Sequence, residues 1–178
     1  MKKIVLFAAL ATVSFGAAAD GWRFAPVLTD KDFKLEPTLA VTANRVDPRK
    51  GDNATAYGVD FNFNCILLQD PQNRIRTHLN IGQSDEKGVD VTAFEVSPRY
   101  TVPLGNGLSA GVGPSLAVFD VDGAGKNETL FGIGLAGGLN YRVGALYAGA
   151  DVRYHATNSR NSVDYDNWTA GAKLGINF

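Results

Sequence analysis

The chain has 178 residues, 45% of them hydrophobic and 20% charged, with 17 Lys+Arg against 18 Asp+Glu for a net charge of −1. A balance this close to neutral, with no basic block and no aromatic residues interleaved among basic ones, argues against nucleic acid as a partner, and no acidic tail suggests a solvating, disordered segment. The single cysteine, Cys65, leaves no disulfide to form within the chain, and no segment after the first twenty residues reaches the roughly 20 continuous apolar residues of a membrane helix.

Residues 1–19 read as a secretory signal peptide. Lys2 and Lys3 form the positive start, residues 4–15 an apolar run too short for an anchor, and Ala17, Ala18 and Ala19 a small-residue cleavage site. Cleavage near Asp20 removes two lysines, leaving 15 basic against 18 acidic residues, a net charge of −3. No cysteine stands at the junction to take a lipid anchor. Residues 20–33, with Trp22 and Phe24, are assigned to a periplasmic N-terminal segment ahead of the first strand.

From there the apolar residues recur at intervals of two, the period of a strand with two different faces. Strands are predicted at 34–45 (Leu35, Leu39, Val41 on the apolar face), 56–67 (Tyr57, Val59, Phe61, Phe63, Cys65, Leu67) and 74–82 (Ile75, Leu79, Ile81). They continue at 90–102 (Phe94, Val96, Tyr100, Val102), 108–119 (Leu108 to Val118 on even numbers), 130–142 and 146–155. The last strand carries Trp168, Ala170, Ala172, Leu174, Ile176 and Phe178 on one face and Asn167, Thr169, Gly171, Lys173, Gly175 and Asn177 on the other. Residues 46–55, 83–89, 120–129 and 156–166 are polar and read as long loops, whereas 69–73, 103–107 and 143–145 read as short turns. Eight strands with connections alternating long and short predict an all-β fold, an eight-stranded antiparallel up-and-down transmembrane β-barrel over 34–178.

The composition of the two faces decides the orientation. The polar face is mostly Gly, Ala, Ser, Thr and Asn, which suits a crowded lumen. The apolar face ends in aromatic residues, with Tyr57, Phe131, Tyr154 and Trp168 at the loop ends and Tyr100, Tyr141 and Phe178 at the turn ends. Those seven are the expected aromatic girdles at the two membrane interfaces. Cys65, on the apolar face, is expected to meet lipid.

The segment 163–178, VDYDNWTAGAKLGINF, resembles the last strand of small eight-stranded outer-membrane barrels, the family of the OmpA membrane domain, OmpX and the opacity-type proteins. The resemblance implies a cell outer membrane location, contact with outer-membrane lipid and lipopolysaccharide, and delivery by the barrel-assembly machinery, which would read Leu174, Ile176 and Phe178. It implies no cofactor, and it leaves function open, because the family includes adhesins, stabilising proteins and enzymes.

By parity the lumen receives Lys34, Glu36, Asp60, Arg74, Arg76, His78, Glu95, Arg99, Asp151, Arg153, His155 and Lys173. An unpaired charge there is costly, so a mutual network is expected, with Arg76 and Arg99 on Glu95, and Lys173 on both Asp151 and Glu36. Small residues on two further pairs of strands could leave a cavity, and long arginines could fill it. The competing chemistry is a hydrolase: His155-Ala156-Thr157-Asn158 with Asp164 and Asp166 is similar to the His-x-Ser-Asn and acidic residue of lipid A deacylases. Thr157 stands where the nucleophilic serine would be, and His155 points inward rather than to the membrane. Gly132, Gly134 and Gly137 match a dinucleotide fingerprint inside a strand, where it has no meaning, and neither Asp120, Asp122 and Glu128 nor His78 and His155 have metal-site spacing. The expected protein is a monomeric, non-enzymatic barrel of structural or surface-interaction role with a largely closed lumen, and a narrow porin-like channel is the alternative.

Overall fold

The computed structural model describes residues 21–123, 126–160 and 164–178, so the predicted signal peptide lies outside the described residues. Eight strands close into one antiparallel barrel: β2 (Thr38–Pro48), β3 (Ala54–Asn64), β5 (Ile75–Glu86), β6 (Val89–Gly105), β7 (Leu108–Gly123), β8 (Lys126–Val143), β9 (Leu146–Thr157) and β10 (Asn167–Asn177). Each pairs with its neighbour in sequence, and β10 returns to β2, from Asn167 opposite Pro48 to Asn177 opposite Thr38. Two short strands, β1 (Arg23–Phe24) and β4 (Leu68–Gln69), pair outside the barrel.

The alternation in the sequence becomes burial directly. Along β2 every second residue is buried, and the inward residues are Thr38, Ala40, Thr42, Asn44 and Val46. The outward residues are large and apolar and stay exposed around the whole circumference, including Val41, Val59, Ile81, Val112 (60%), Leu135, Val152 and Leu174. A water-soluble barrel has the reverse arrangement.

Several strand ends depart from the periodicity. The first barrel strand starts at Thr38 rather than residue 34, because Glu36 takes a φ of +45° and Pro37 has no N–H for a ladder bond. The third starts at Ile75 rather than residue 74, since Asp70 accepts from the backbone N–H of both Asn73 and Arg74 and Asn73 turns at φ +55°. At the other end the strands run on. Only Lys87 and Gly88 join β5 to β6, at φ +51° and +77°, a two-residue hairpin. Asp120 faces Thr129 and Asp122 faces Asn127 in the β7–β8 ladder. The expected long loops at 83–89 and 120–129 are therefore largely strand. Beyond the apolar belt the outward face turns polar, so period two with an apolar outer face no longer distinguishes strand from loop there.

The 65–74 connection is not a short turn. Leu68 and Gln69 pair with Phe24 and Arg23, the Ala25 N–H donates to the Leu67 carbonyl (2.9 Å), and a helical turn α1 (Pro26–Thr29) follows. The strict alternation of long and short connections thus does not hold. Cys65 is also reassigned: the chain leaves the ladder after Asn64, the Cys65 N–H donates to the Ile75 carbonyl (2.8 Å), and the thiol is buried in this turn rather than facing lipid.

Strand glycines mark where the backbones crowd. A Cβ on Gly134 would lie 1.7 Å from the Tyr154 carbonyl oxygen, and one on Gly113 1.9 Å from that of Pro98, whereas on Gly137 its nearest neighbour is 3.4 Å away. Gly134→Ala is expected to lower stability by about 1–3 kcal/mol through overpacking. Gly137→Ala should leave it nearly unchanged; urea unfolding of both variants in lipid vesicles, followed by tryptophan fluorescence, checks the difference.

Candidate functional site

The interior is stacked in three layers. Nearest the loop end lies an apolar cluster of Val91, Ala117, Phe119, Val121 and Leu130, with Ala93 and Tyr165 packed against it. Phe119 meets His155 edge-on at 5.5 Å and Tyr165 at 5.3 Å between ring centroids. Val91, Ala117, Phe119 and Leu130 hold the inward parity of β6, β7 and β8 at the loop ends of the predicted strands and Val121 lies just beyond, so the cluster was hidden among positions read as the polar face.

Below it lies a chain of alternating charge. Arg153 Nη1 donates to Glu95 Oε2 (2.8 Å), and Glu95 Oε1 lies 4.0 Å from Arg99 Nη2. Arg99 Nη1 donates to Asp151 Oδ1 (2.9 Å), and Lys173 Nζ bridges Asp151 Oδ2 (2.5 Å) and Asp60 Oδ2 (3.0 Å). His78 Nδ1 closes the chain on Asp60 at 3.2 Å. Three acids and three bases alternate without excess charge, and all are buried, Asp60 fully and Arg99 to within 1%. Neutral side chains complete the layer: Asn44 Oδ1 accepts from Arg153 (2.8 Å), and Ser115 Oγ meets His155 Nε2 (2.8 Å). Glycine makes the room. A Cβ on Gly138 would sit 2.3 Å from Asp151 Oδ1, and one on Gly171 2.0 Å from Asn44 Oδ1.

The third layer, at the turn end, is basic. Arg76 Nη1 donates to Asn64 Oδ1 (2.7 Å) and its Nη2 to the Glu36 carbonyl (2.7 Å), with the Glu36 carboxylate 3.7 Å from Nη1. Arg142 donates to Asn62 Oδ1 (2.7 Å) and lies over the Tyr147 ring at 5.0 Å, while the Tyr147 hydroxyl donates to Asn140 (2.6 Å). Arg142 shares the inward face with Tyr147, yet it was absent from the charge network predicted by parity.

Three predicted luminal residues are placed elsewhere. Lys34 is exposed and precedes the barrel, because its backbone runs beside Asn64 ahead of Pro37. Glu36 stands at the mouth with its side chain 59% exposed. Arg74 lies on the rim, donating to the Tyr100 hydroxyl (2.9 Å) with its guanidinium 5.9 Å from that ring's centre. Two expected pairs fail accordingly: Lys173 meets Asp60 instead of Glu36, and Arg76 turns toward the mouth, away from Glu95. On the outside, Tyr57, Phe131 and Trp168 project at the loop end, with Tyr154 half-buried against Trp168 (4.9 Å between centroids), and Tyr100, Tyr141 and Phe178 project at the turn end.

The hydrolase cluster does not assemble. His155 is inside under Phe119, and the Thr157 hydroxyl accepts from the Tyr165 N–H (2.8 Å) while the Thr157 N–H donates to Asp166 (2.8 Å). Thr157 is a loop fastener. Among the described residues no group of three or more His, Cys, Asp or Glu is placed to hold a metal ion.

Comparison with protein-family models and with curated protein sequences finds no match. Among solved structures the chain is similar to Neisserial surface protein A (14% identity, TM-score 0.57, covering 80% of this chain and 95% of that one). It is also similar to the outer membrane protein OprG of Pseudomonas aeruginosa (15%, 0.52, 82% and 97%) and to the N-terminal β-barrel domain of OprF from the same organism (16%, 0.51, 82% and 100%). The fold is that of the small eight-stranded outer-membrane barrels.

At the loop end of that barrel the rim is cross-linked. Lys50 pairs with Asp164 (2.5 Å), Lys87 with Asp52 (2.8 Å) and Arg49 with Asp166 (3.6 Å), and the Asp52 carboxylate raises the Lys87 ammonium above its ordinary pKa. These exposed pairs and the buried chain should differ sharply in worth. Lys173→Met, which leaves buried Asp60 with only His78 and Asp151 with only Arg99, is expected to cost about 3–5 kcal/mol, against at most about 1 kcal/mol for Arg49→Gln. Asp60→Asn in the Lys173→Met background should recover part of the loss, read from urea midpoints in vesicles.

Proposed function

We propose that this chain is a non-enzymatic outer-membrane barrel with a structural or surface-interaction role and a lumen closed to ions. The observation that carries this reading is the continuous charge chain from Arg153 through Glu95, Arg99, Asp151 and Lys173 to Asp60. It lies beneath the apolar cluster around Phe119 and Leu130. In an eight-stranded barrel the side chains have just enough length to meet across the interior, and here every luminal cation of the middle layer is held by an acid.

The apolar exterior supports insertion in lipid. Transfer of Val41, Val112, Leu135 and their neighbours from water to hydrocarbon stabilises the inserted state by roughly 25 cal/mol per Å² of apolar surface. Outer-membrane lipid and lipopolysaccharide are the partners such a surface fits, with the loop end outward and the turn end in the periplasm. The last strand, Leu174, Ile176 and Phe178, is the segment offered to the barrel-assembly machinery. The chain acts as a monomer, since every barrel strand already has both neighbours.

A narrow channel is the second reading. A vestibule of about 500 Å³ at the loop end, lined in part by Val89, Val91, Val121 and Tyr165, and a mouth of about 420 Å³ at the turn end leave only the middle layers as a barrier. Planar-bilayer recording separates the two. The refolded wild type is expected to be silent, and Arg99→Ala to give resolvable current steps once the chain is broken between Glu95 and Asp151. Stable steps from the wild type would overturn the closed-lumen reading in favour of the channel.

A further inference from the structure

The charge chain leaves one part of the interior unbalanced. Arg74, Arg76 and Arg142 all line the turn-end mouth, and among its described lining residues Glu36 is the single acid. Arg76 is buried, yet its hydrogen bonds go mainly to neutral oxygens: Asn64 Oδ1 at 2.7 Å, the Glu36 carbonyl at 2.7 Å and Asn62 Oδ1 at 3.2 Å. Asn62 Oδ1 also accepts from Arg142 Nη2 at 2.7 Å, so two guanidinium groups share one neutral acceptor. Asn62 in turn donates to Asp60 (2.8 Å), but that carboxylate already serves Lys173 and His78. Arg142 Nε is buried without a hydrogen-bond partner, and Arg142 has no carboxylate within ion-pairing distance among the described residues.

Like charges this close repel unless a counter-charge is supplied, and the repulsion is strongest where water is scarce. Glu36 supplies little: its carboxylate is mostly in solvent and stands 3.7 Å from one of the three arginines. The walls add neutral polar groups, Gln72, Asn73, Thr101 and Ser109, around a space of about 420 Å³ that opens outward. Guanidinium groups match the planar or tetrahedral oxygens of carboxylate and phosphate better than any other side chain, because their N–H donors are fixed in a fork.

We propose that the turn-end mouth is an oxyanion-binding site, with Arg142 and Arg76 as the inner ligands and Arg74 as the outer one, for a phosphate or carboxylate group carried by a solute or by a lipid headgroup at the interface. Recognition is by charge and fork geometry, so phosphate and citrate bind where chloride at the same ionic strength does not. Glu36 competes with the ligand for Arg76. The site does not depend on whether the lumen conducts, because it lies wholly on the turn-end side of the charge chain.

The test uses the refolded full chain, labelled with ¹⁵N-arginine, in a phosphate-free detergent at constant ionic strength, titrated with inorganic phosphate. The Nε–Hε signals of Arg142 and Arg76, assigned from the variants, are expected to shift with saturation. Arg142→Gln should weaken the apparent affinity by about tenfold or more, the loss of one charge-assisted pair. Glu36→Gln should strengthen it, a gain that no purely structural role for Glu36 produces, and Lys50→Gln at the opposite end should leave it unchanged. If Arg142→Gln does not fold, Arg74→Gln, whose guanidinium is on the rim, is expected to weaken binding severalfold. The same titration in nanodiscs of phosphatidylglycerol identifies the source. Loss of the phosphate response there assigns the site to lipid headgroups, and its persistence assigns it to free solutes. Linear, non-saturating shifts in detergent, or equal affinity in wild type, Arg142→Gln and Arg74→Gln, would overturn the proposal.

Discussion

Closure of the sheet between β10 and β2 governs the rest of this molecule. In hydrocarbon a backbone N–H or C=O without a partner costs several kcal/mol, so a sheet with two open edges cannot persist there. The unbroken register from Asn167–Pro48 to Asn177–Thr38 removes both edges at once. Closing only eight strands fixes a narrow interior, and every inward residue must then fit or be neutralised within it. The small residues of the inner face, the glycines whose missing Cβ would strike a neighbouring carbonyl, and the acid–base alternation across the lumen all follow from that radius.

The three interior layers meet that demand by different physics. Around Phe119 and Leu130 the loop-end lumen is apolar and held by packing, as a soluble core would be. The middle layer buries six full charges, a choice that adds little net stability over an apolar filling but makes each member costly to remove alone. Its benefit is specificity of register: a slip of any strand by one residue would turn its charge out to lipid and its apolar residues into the lumen. The turn-end layer is the exception, with cations in excess over acids, and departures of this kind from complete pairing are where recognition is to be sought.

The fold was legible because period two survives wherever one face meets lipid and the other the lumen. Val112, Leu116 and Val118 announce β7 as clearly in sequence as in space. Legibility ends at the edges of the apolar belt. Gln83 to Glu86 are paired strand with polar side chains on both faces, and Asp120 and Asp122 are paired strand with polar side chains outward around a single inward Val121, which composition alone reads as loop. Lys34 and Glu36 satisfied parity but not backbone geometry, because parity holds only while φ stays extended, and Glu36 at +45° breaks it. Which charge meets which was legible in part: Arg99 with Glu95 and Lys173 with Asp151 are found as expected, Arg76 with Glu95 and Lys173 with Glu36 are not. Arg76 and Arg99 are directly opposite in register, yet one reaches down to Asn64 and the other across to Asp151, a choice set by side-chain direction within the lumen and not by strand order.

Lys173 joins these levels. It sits on the closing strand between Thr42 of β2 and Gly149 of β9, and its ammonium reaches Asp60 on β3 and Asp151 on β9, acids on the two sides of the seam. Before β10 pairs with β2 those two carboxylates lack the cation that bridges them; once the ladder forms, it is delivered between them. Backbone closure and charge neutralisation are therefore one event. The hydrogen-bonded seam holds the ammonium in place, and Asp60 in turn opposes opening of the seam, since separating β10 from β2 exposes both strand edges and takes from Asp60 its one lysine partner, while Asp151 on β9 keeps Arg99. That coupling makes the open form costly on both counts, and it explains why the closing strand of a membrane barrel carries a charged residue at its centre.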